Sequence, residues 1–299
     1  MTQTTLLYGV GAAKAGTSWL YRMLADHPEC KLRAVKEAHY WDSFDDKQRD
    51  WQLRAFARRC DQMSRMRASM TIIGNTLRAD SLQRQIDEIT ALMSVIAGDR
   101  TTDTAYLDWL GQGASDKRLM ADLTPAYALL DTDRLTRMVG ASPVSKVIYL
   151  VRDPMARLWS HVRMHVTRAG SDDAQVQADA NALLGDIVDG KNLPNILDRG
   201  DYRGAITRLR AVVPASRLLV GFTEVMLTPT GWAQICKFLG ITPTGVDAGR
   251  RVHAGVSATM NAGLAKRAVA LLKDQYEWVA EHVGPLPTAW QTNLARAVA

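Results

Sequence analysis

The sequence predicts a three-layer α/β fold with a central, mostly parallel β-sheet flanked by helices. Three observations lead there. Apolar, β-rich runs at residues 5–10, 118–122, 146–151 and 218–222 alternate with segments of helical periodicity. The run Lys146-Val147-Ile148-Tyr149-Leu150-Val151 is unbroken, as expected of a strand buried on both faces of a parallel sheet. The first strand passes through a glycine-bounded loop straight into a helix. That layout aims backbone N–H groups and the positive end of a helix dipole at an anion.

The loop is Gly11-Ala12-Ala13-Lys14-Ala15-Gly16, and Thr17-Ser18 open a helix that Asp26-His27-Pro28 should stop. Its glycines have the spacing of a nucleotide P-loop, which places Lys directly after the second Gly and then Ser or Thr for magnesium. Here Thr17 follows Gly16, and the only lysine of the loop is Lys14. The cradle therefore suits an anion other than Mg-ATP. A short extended piece, 30–34, leads to Val35-Lys36-Glu37-Ala38-His39-Tyr40-Trp41-Asp42, which gathers a base, two acids, an imidazole and two aromatics.

Residues 45–70, 81–96 and 104–110 read as polar helices with no evident chemistry. Arg54, Arg58, Arg59, Arg65 and Arg67 would suit a groove for an acidic substrate, although such a run is most often a solvated face. After the strand at 118–122, Pro125 forces Thr124 into extended geometry. A helix at 132–139 ends at Gly140. The strand at 146–151 ends in Arg152-Asp153-Pro154, and Pro154 starts a helix carrying Arg157, Ser160, His161 and His165. The two histidines lack a third metal ligand and read as packing or surface residues. Helix plus loop at 172–197, a helix at 199–212, the strand at 218–222, a helix at 232–239, a loop at 250–260 and helices at 262–282 and 288–298 complete the chain. No linker or repeat divides residues 1–299, so a single domain is expected.

Of the 299 residues, 47% are hydrophobic and 23% charged, ordinary for a globular enzyme, and the net charge of +6 favours anionic ligands. No basic block interleaved with aromatics points to nucleic acid. No apolar run is long enough to span a bilayer, and Met1-Thr2-Gln3-Thr4-Thr5 lacks the basic region of a signal peptide, so no integral membrane segment is expected. Cys30, Cys60 and Cys236 have no metal spacing and fit a cytoplasmic protein with reduced thiols. The oligomeric state stays open, a homodimer included.

Ligands of open α/β sheets bind beyond the carboxyl ends of the strands. The glycine loop and Arg152 both lie at such ends, and Ser160 is about two helical turns past Arg152. An Arg fork and a Ser hydroxyl can converge on one anion, so two anion sites on one sheet imply a ligand with two phosphate-like ends. At this point the sequence resembles the PAPS-dependent sulfotransferases. Gly11-x-x-Lys14-x-Gly16-Thr17-Ser18-Trp19-Leu20 is similar to their 5′-phosphosulfate loop, and Arg152-Asp-Pro154-x-x-Arg157-x-x-Ser160 to their 3′-phosphate motif. Lys36-Glu37-x-His39-Tyr40 resembles the Lys-Glu-x-His-Phe element of the heparan-sulfate and Golgi-type branch and its bacterial relatives. Asp122-x-Thr124-Pro125-x-Tyr127 resembles their Lys-Thr-Pro-x-Tyr segment, with Asp and Leu replacing the usual charged pair. The likeness runs over roughly residues 6–241.

The resemblance implies a P-loop-like fold and 3′-phosphoadenosine 5′-phosphosulfate (PAPS) as donor. Lys14, Ala15, Gly16, Thr17, Ser18 and Trp19 would surround the 5′-phosphosulfate, and Arg152 and Ser160 would grip the 3′-phosphate, with Arg251 a further contact from a late loop. In-line transfer would proceed without a metal, since a sulfuryl group carries less charge than a phosphoryl group, and Lys14 would assist it. Glu37 is the expected general base, with His39 as runner-up. Lys36, Tyr40, Asp122 and Tyr127 would contact the acceptor, a carbohydrate, lipid or small metabolite bearing a hydroxyl or amine. Trp41 and Tyr127 read equally as core aromatics. The rivals are a P-loop nucleotide kinase and a non-catalytic nucleotide-binding module on the same fold.

Overall fold

A computed structural model describes residues 4–191, 195–245 and 256–298, with side chains to residue 295. Five strands form one sheet in the order β2-β3-β1-β4-β5, all pairs parallel. They are β1 (Thr5–Gly11), β2 (Cys30–Leu32), β3 (Leu119–Asp122), β4 (Ser145–Val151) and β5 (Leu218–Phe222). β1 is buried along its whole length and β4 nearly so, as their unbroken apolar sequences require. The predicted P-loop-like three-layer α/β architecture is therefore the observed one.

The helices are α1 (Thr17–Ala25), α2 (Asp46–Ile72), α3 (Thr76–Ala97), α4 (Thr104–Gly111), α5 (Thr132–Gly140), α6 (Pro154–Ala169), α7 (Val176–Val188), α8 (Tyr202–Val212), α9 (Thr223–Met226), α10 (Pro229–Leu239), α11 (Ala262–Leu271), α12 (Lys273–His282) and α13 (Thr288–Val298). Several boundaries have clear local causes. Asp45, Asn75, Asp131 and Asp153 accept backbone N–H bonds at the starts of α2, α3, α5 and α6. Pro154 occupies the first turn of α6, where its missing N–H costs nothing.

One expected element is different. The helix predicted over 262–282 is broken at Leu272, whose backbone lies at φ −97° and ψ 5°. The break redirects the chain so that α11 packs on α6 and α7 while α12 packs on α8. Apolar periodicity continues through the break because both halves bury a face: Val269 and Tyr276 are each essentially inaccessible.

Candidate active site

The central strands end on one side of the sheet, and a cavity of about 850 Å³ opens there. β1 delivers Ala13, Lys14, Gly16, Thr17 and Ser18. The turn after β3 delivers Pro125, and β4 delivers Arg152, Asp153, Ala156, Ser160 and His161. β5 delivers Thr223 and Glu224, and α13 adds Ala289 and Asn293. Lys36 and Glu37 line the same cavity. Five cationic side chains (Lys14, Lys36, Arg152, Arg168 and Arg199) face three carboxylates (Glu37, Asp153 and Glu224).

The glycine loop is tied down from two sides. Arg152 Nη1 donates to the Lys14 carbonyl at 3.0 Å, and Thr223 Oγ1 donates to the Ala15 carbonyl at 2.8 Å. Arg152 is itself held through its backbone, since the Tyr202 hydroxyl donates to its carbonyl at 2.6 Å. Gly16 N-caps α1 at φ 90° with no side chain to satisfy the first amides. A Cβ there would come within 2.9 Å of Leu227 Cδ2. The helix therefore presents its N-terminus to the cavity with no side-chain cap over it, as an anion-binding turn requires. The Lys14 ammonium lies 3.6 Å from Met164 Sδ. Burial, then the charges of Arg168, Arg152, Lys36 and Arg163, lower its pKa. An anion entering among these cations relieves their mutual repulsion.

On the other strand-end loop, Lys36 Nζ donates to Glu37 Oε1 at 2.7 Å. Glu37 Oε2 lies 3.7 Å from His39 Nε2, and His39 Nδ1 lies 2.7 Å from Asp42 Oδ2. Burial opposes the charge on Glu37, but the neighbouring His39 and Lys36 outweigh it and hold the carboxyl well below the usual range. Burial likewise opposes the charge on His39, yet Asp42 and then Glu37 raise its pKa to about 10. His39 is therefore an imidazolium at neutral pH, a donor at both ring nitrogens. Glu37 keeps 37% of its side chain exposed, toward the cavity it lines.

The backbone of this region is unusual. Among the described residues, the non-glycine residues with positive φ are Lys14 (70°), Glu37 (68°), His39 (52°) and Asn195 (75°). Three of these four carry the candidate chemistry. Left-handed backbone at bulky residues costs free energy and persists where the surroundings over-determine it.

Those surroundings include residues expected at the acceptor. Tyr40, Asp122 and Tyr127 are buried, and the structure does not bring them to the cavity wall. The Asp122 carboxylate accepts from the hydroxyls of Thr124 (2.6 Å), Tyr127 (2.7 Å) and Tyr106 (2.8 Å), and burial raises its pKa against these bonds. The Tyr127 oxygen in turn accepts the Tyr40 backbone N–H at 3.0 Å. Tyr40 stacks on Tyr106 at 4.2 Å, and Trp41 packs edge-on against Tyr8 of β1. The aromatic pair is thus an anchor that fixes the Lys36–His39 turn to the sheet.

Of the remaining expected site residues, Thr17, Ser18, Trp19 and Ser160 line the cavity, and Ala15 takes part through its carbonyl. Arg251 lies outside the described residues. His161, read from the sequence as a packing or surface residue, is buried and also borders the cavity. Its pKa is lowered to about 3 by burial and then by Arg157. Because Arg157 can only donate, His161 Nδ1 must accept at their 3.2 Å contact, which leaves the ring proton on Nε2. Its i,i+4 spacing from Arg157 was the available signal. Arg168 shares the α6 face of Ser160 and Met164 at i,i+4 steps, whereas Arg199 and Asn293 reach the cavity only through tertiary packing. Asn293 Nδ2 donates to Asp153 Oδ2 at 3.1 Å from the far end of the chain. The arginines of α2 do not line this cavity.

Comparison with known proteins bears on the family and the fold. A family model described as "Sulfotransferase family" matches residues 7–244. A sulfotransferase from Alicyclobacillus acidocaldarius superposes with a TM-score of 0.61 at 18% identity, covering 97% of this chain and all of that one. The sulfotransferase domain of the Synechococcus PCC 7002 olefin synthase gives 0.42 at 17% identity, covering 90% of this chain and 94% of that one. The sulfotransferase domain from the curacin biosynthetic pathway gives 0.45 at 19% identity, covering 100% and 98%. No curated protein matched the sequence significantly. With the family model spanning most of its length, the chain belongs to the sulfotransferase family.

Proposed function

We propose that this chain transfers a sulfuryl group from PAPS to a hydroxyl or amine of an acceptor, in line and without a metal. The observation that carries this reading is that one cationic cavity is lined by the glycine loop, by Arg152 and Ser160, and by the Lys36–Glu37 pair. The residues present fit such a donor. An α1 N-terminus without a side-chain cap and Lys14 suit its 5′-phosphosulfate end, with Thr17, Ser18 and Trp19 around them. Arg152 and Ser160 suit its 3′-phosphate.

The chain's own contribution is then positioning and charge. Lys14 and the α1 amides stabilise negative charge on the departing phosphate. Glu37, ionised and open to the cavity, accepts the acceptor's proton, and Lys36 and His39 hold that carboxylate in place. His39 is unsuited to be the base, because it already carries its proton at neutral pH. The acceptor is a carbohydrate, a lipid or a small metabolite, and three cysteines without metal spacing favour a cytoplasmic setting. Among the described residues no helix is long and apolar enough to cross a membrane.

Thermal shift separates this reading from its rivals. Adenosine 3′,5′-bisphosphate should stabilise the protein in the presence of EDTA. Stabilisation by Mg-ATP alone points instead to a kinase. Stabilisation by the bisphosphate with no transfer of label from PAPS across a hydroxyl and amine acceptor panel points to a binding module.

A further inference from the structure

The arginine-bearing helices α2 and α3 play no part in the cavity, and their far end has a chemistry of its own. α2 buries only Gln52 and Phe56, both in its first half, and packs chiefly along α3. The distal half of the pair therefore projects from the body of the protein. Its tip is apolar and open: Ile72 is 85% exposed, Ile73 68% and Leu77 84%. These three side chains flank the tight turn at Gly74, which has φ 73°. Leaving such residues in water forgoes burial that most exposed turns, built from polar residues, never need.

The collar behind the tip is cationic. Between residues 65 and 84 there are four arginines, Arg65, Arg67, Arg78 and Arg84, all exposed, and one acidic residue, Asp80. Along a helix axis these arginines lie within about 10 Å of the apolar tip. That is the depth over which an interfacial segment passes from acyl chains to headgroups.

We propose that the α2–α3 tip docks on an anionic lipid bilayer, with Ile72, Ile73 and Leu77 entering the interface and the four arginines meeting acidic headgroups. Charge decides against a second copy as occupant. Two such tips brought together oppose like charge, and three aliphatic side chains fall well short of the roughly 800 Å² per partner that a stable interface buries. An anionic surface is attracted by the same arginines and accepts a small apolar wedge. This inference is independent of the transferase reading.

Vesicle flotation of the full chain tests it. Binding is expected to phosphatidylcholine vesicles that contain phosphatidylserine, to be weak on pure phosphatidylcholine, and to fall as salt screens the arginines. The triple substitution Ile72→Ser, Ile73→Ser, Leu77→Ser should lower vesicle affinity at least about tenfold. Arg65→Gln with Arg67→Gln should lower it while leaving the tip intact. Unchanged melting temperatures and bisphosphate binding will show that the variants are folded. No flotation of the wild type, or flotation indifferent to both sets of substitutions, overturns the proposal. So does light scattering that shows a wild-type dimer which the tip substitutions dissociate, because the tip is then a self-contact.

Discussion

The Arg152 guanidinium donates to the carbonyl of Lys14 at 3.0 Å, across 138 residues of sequence. One residue thus braces the glycine loop and faces the cavity beside it. In the proposed function, the two phosphate ends of the donor are then gripped by parts that are already bonded to one another. Lys14→Ala and Arg152→Ala should each weaken adenosine 3′,5′-bisphosphate binding about tenfold to a hundredfold, the range of a lost charge-assisted hydrogen bond. Titration calorimetry measures this, and an unchanged affinity in either variant would remove that residue from the donor site.

Glu37→Gln should leave bisphosphate affinity nearly unchanged and lower turnover about a hundredfold or more, the usual worth of a positioned base. Full activity in this variant means that another group takes the proton. Stopped assays with labelled PAPS distinguish the outcomes.

The Glu37–His39–Asp42 chain should leave a pH signature in stability. The pKa of His39 is raised from its ordinary 6.5 to about 10, so its contribution is complete below 6.5 and is lost as pH climbs toward 10. The pKa of Glu37 is depressed, so its contribution is present above its ordinary 4.5 and is lost as pH falls below that. The two overlap fully between about 4.5 and 6.5. Melting curves of wild type and His39→Gln should differ most in that window and converge toward pH 10. A gap that widens with rising pH would contradict the charge assignment.

Gly16→Ala should destabilise the fold by about 1–3 kcal/mol and abolish bisphosphate binding, because a Cβ meets Leu227 at 2.9 Å and the backbone stands at φ 90°. Adding Leu227→Ala removes the clash but not the backbone cost, so only partial recovery is expected in denaturant melts.

Tyr127→Phe should cost about 1–3 kcal/mol, since it takes a donor from the buried Asp122 carboxylate and an acceptor from the Tyr40 amide. If Tyr127 only fills space, chemical denaturation will show almost no change.

How much of this was readable in the chain follows the range of the forces involved. The strands, the glycine loop and the Arg152 to Ser160 helix were legible because periodicity, glycine spacing and proline act locally. The left-handed backbone at Lys14, Glu37 and His39 was not, because none is a glycine and the conformation is imposed by neighbours such as the Tyr127 bond to Tyr40. The same limit applies to Tyr40, Asp122 and Tyr127. Their motif suggested the acceptor, while packing buries them away from the cavity wall. The break at Leu272 escaped for a related reason: the residue is apolar in phase with its helix, and only the different neighbours of α11 and α12 explain the bend.

Asn293 of α13 bonds Asp153, and with Ala289 it walls the cavity, although the family model stops at residue 244. Trp290 of the same helix packs edge-on against Phe222 of β5, so this wall is also part of the sheet's own packing. A truncation before α13 would therefore open the cavity and uncover the end of β5 together, so loss of the wall and loss of packing come as one event.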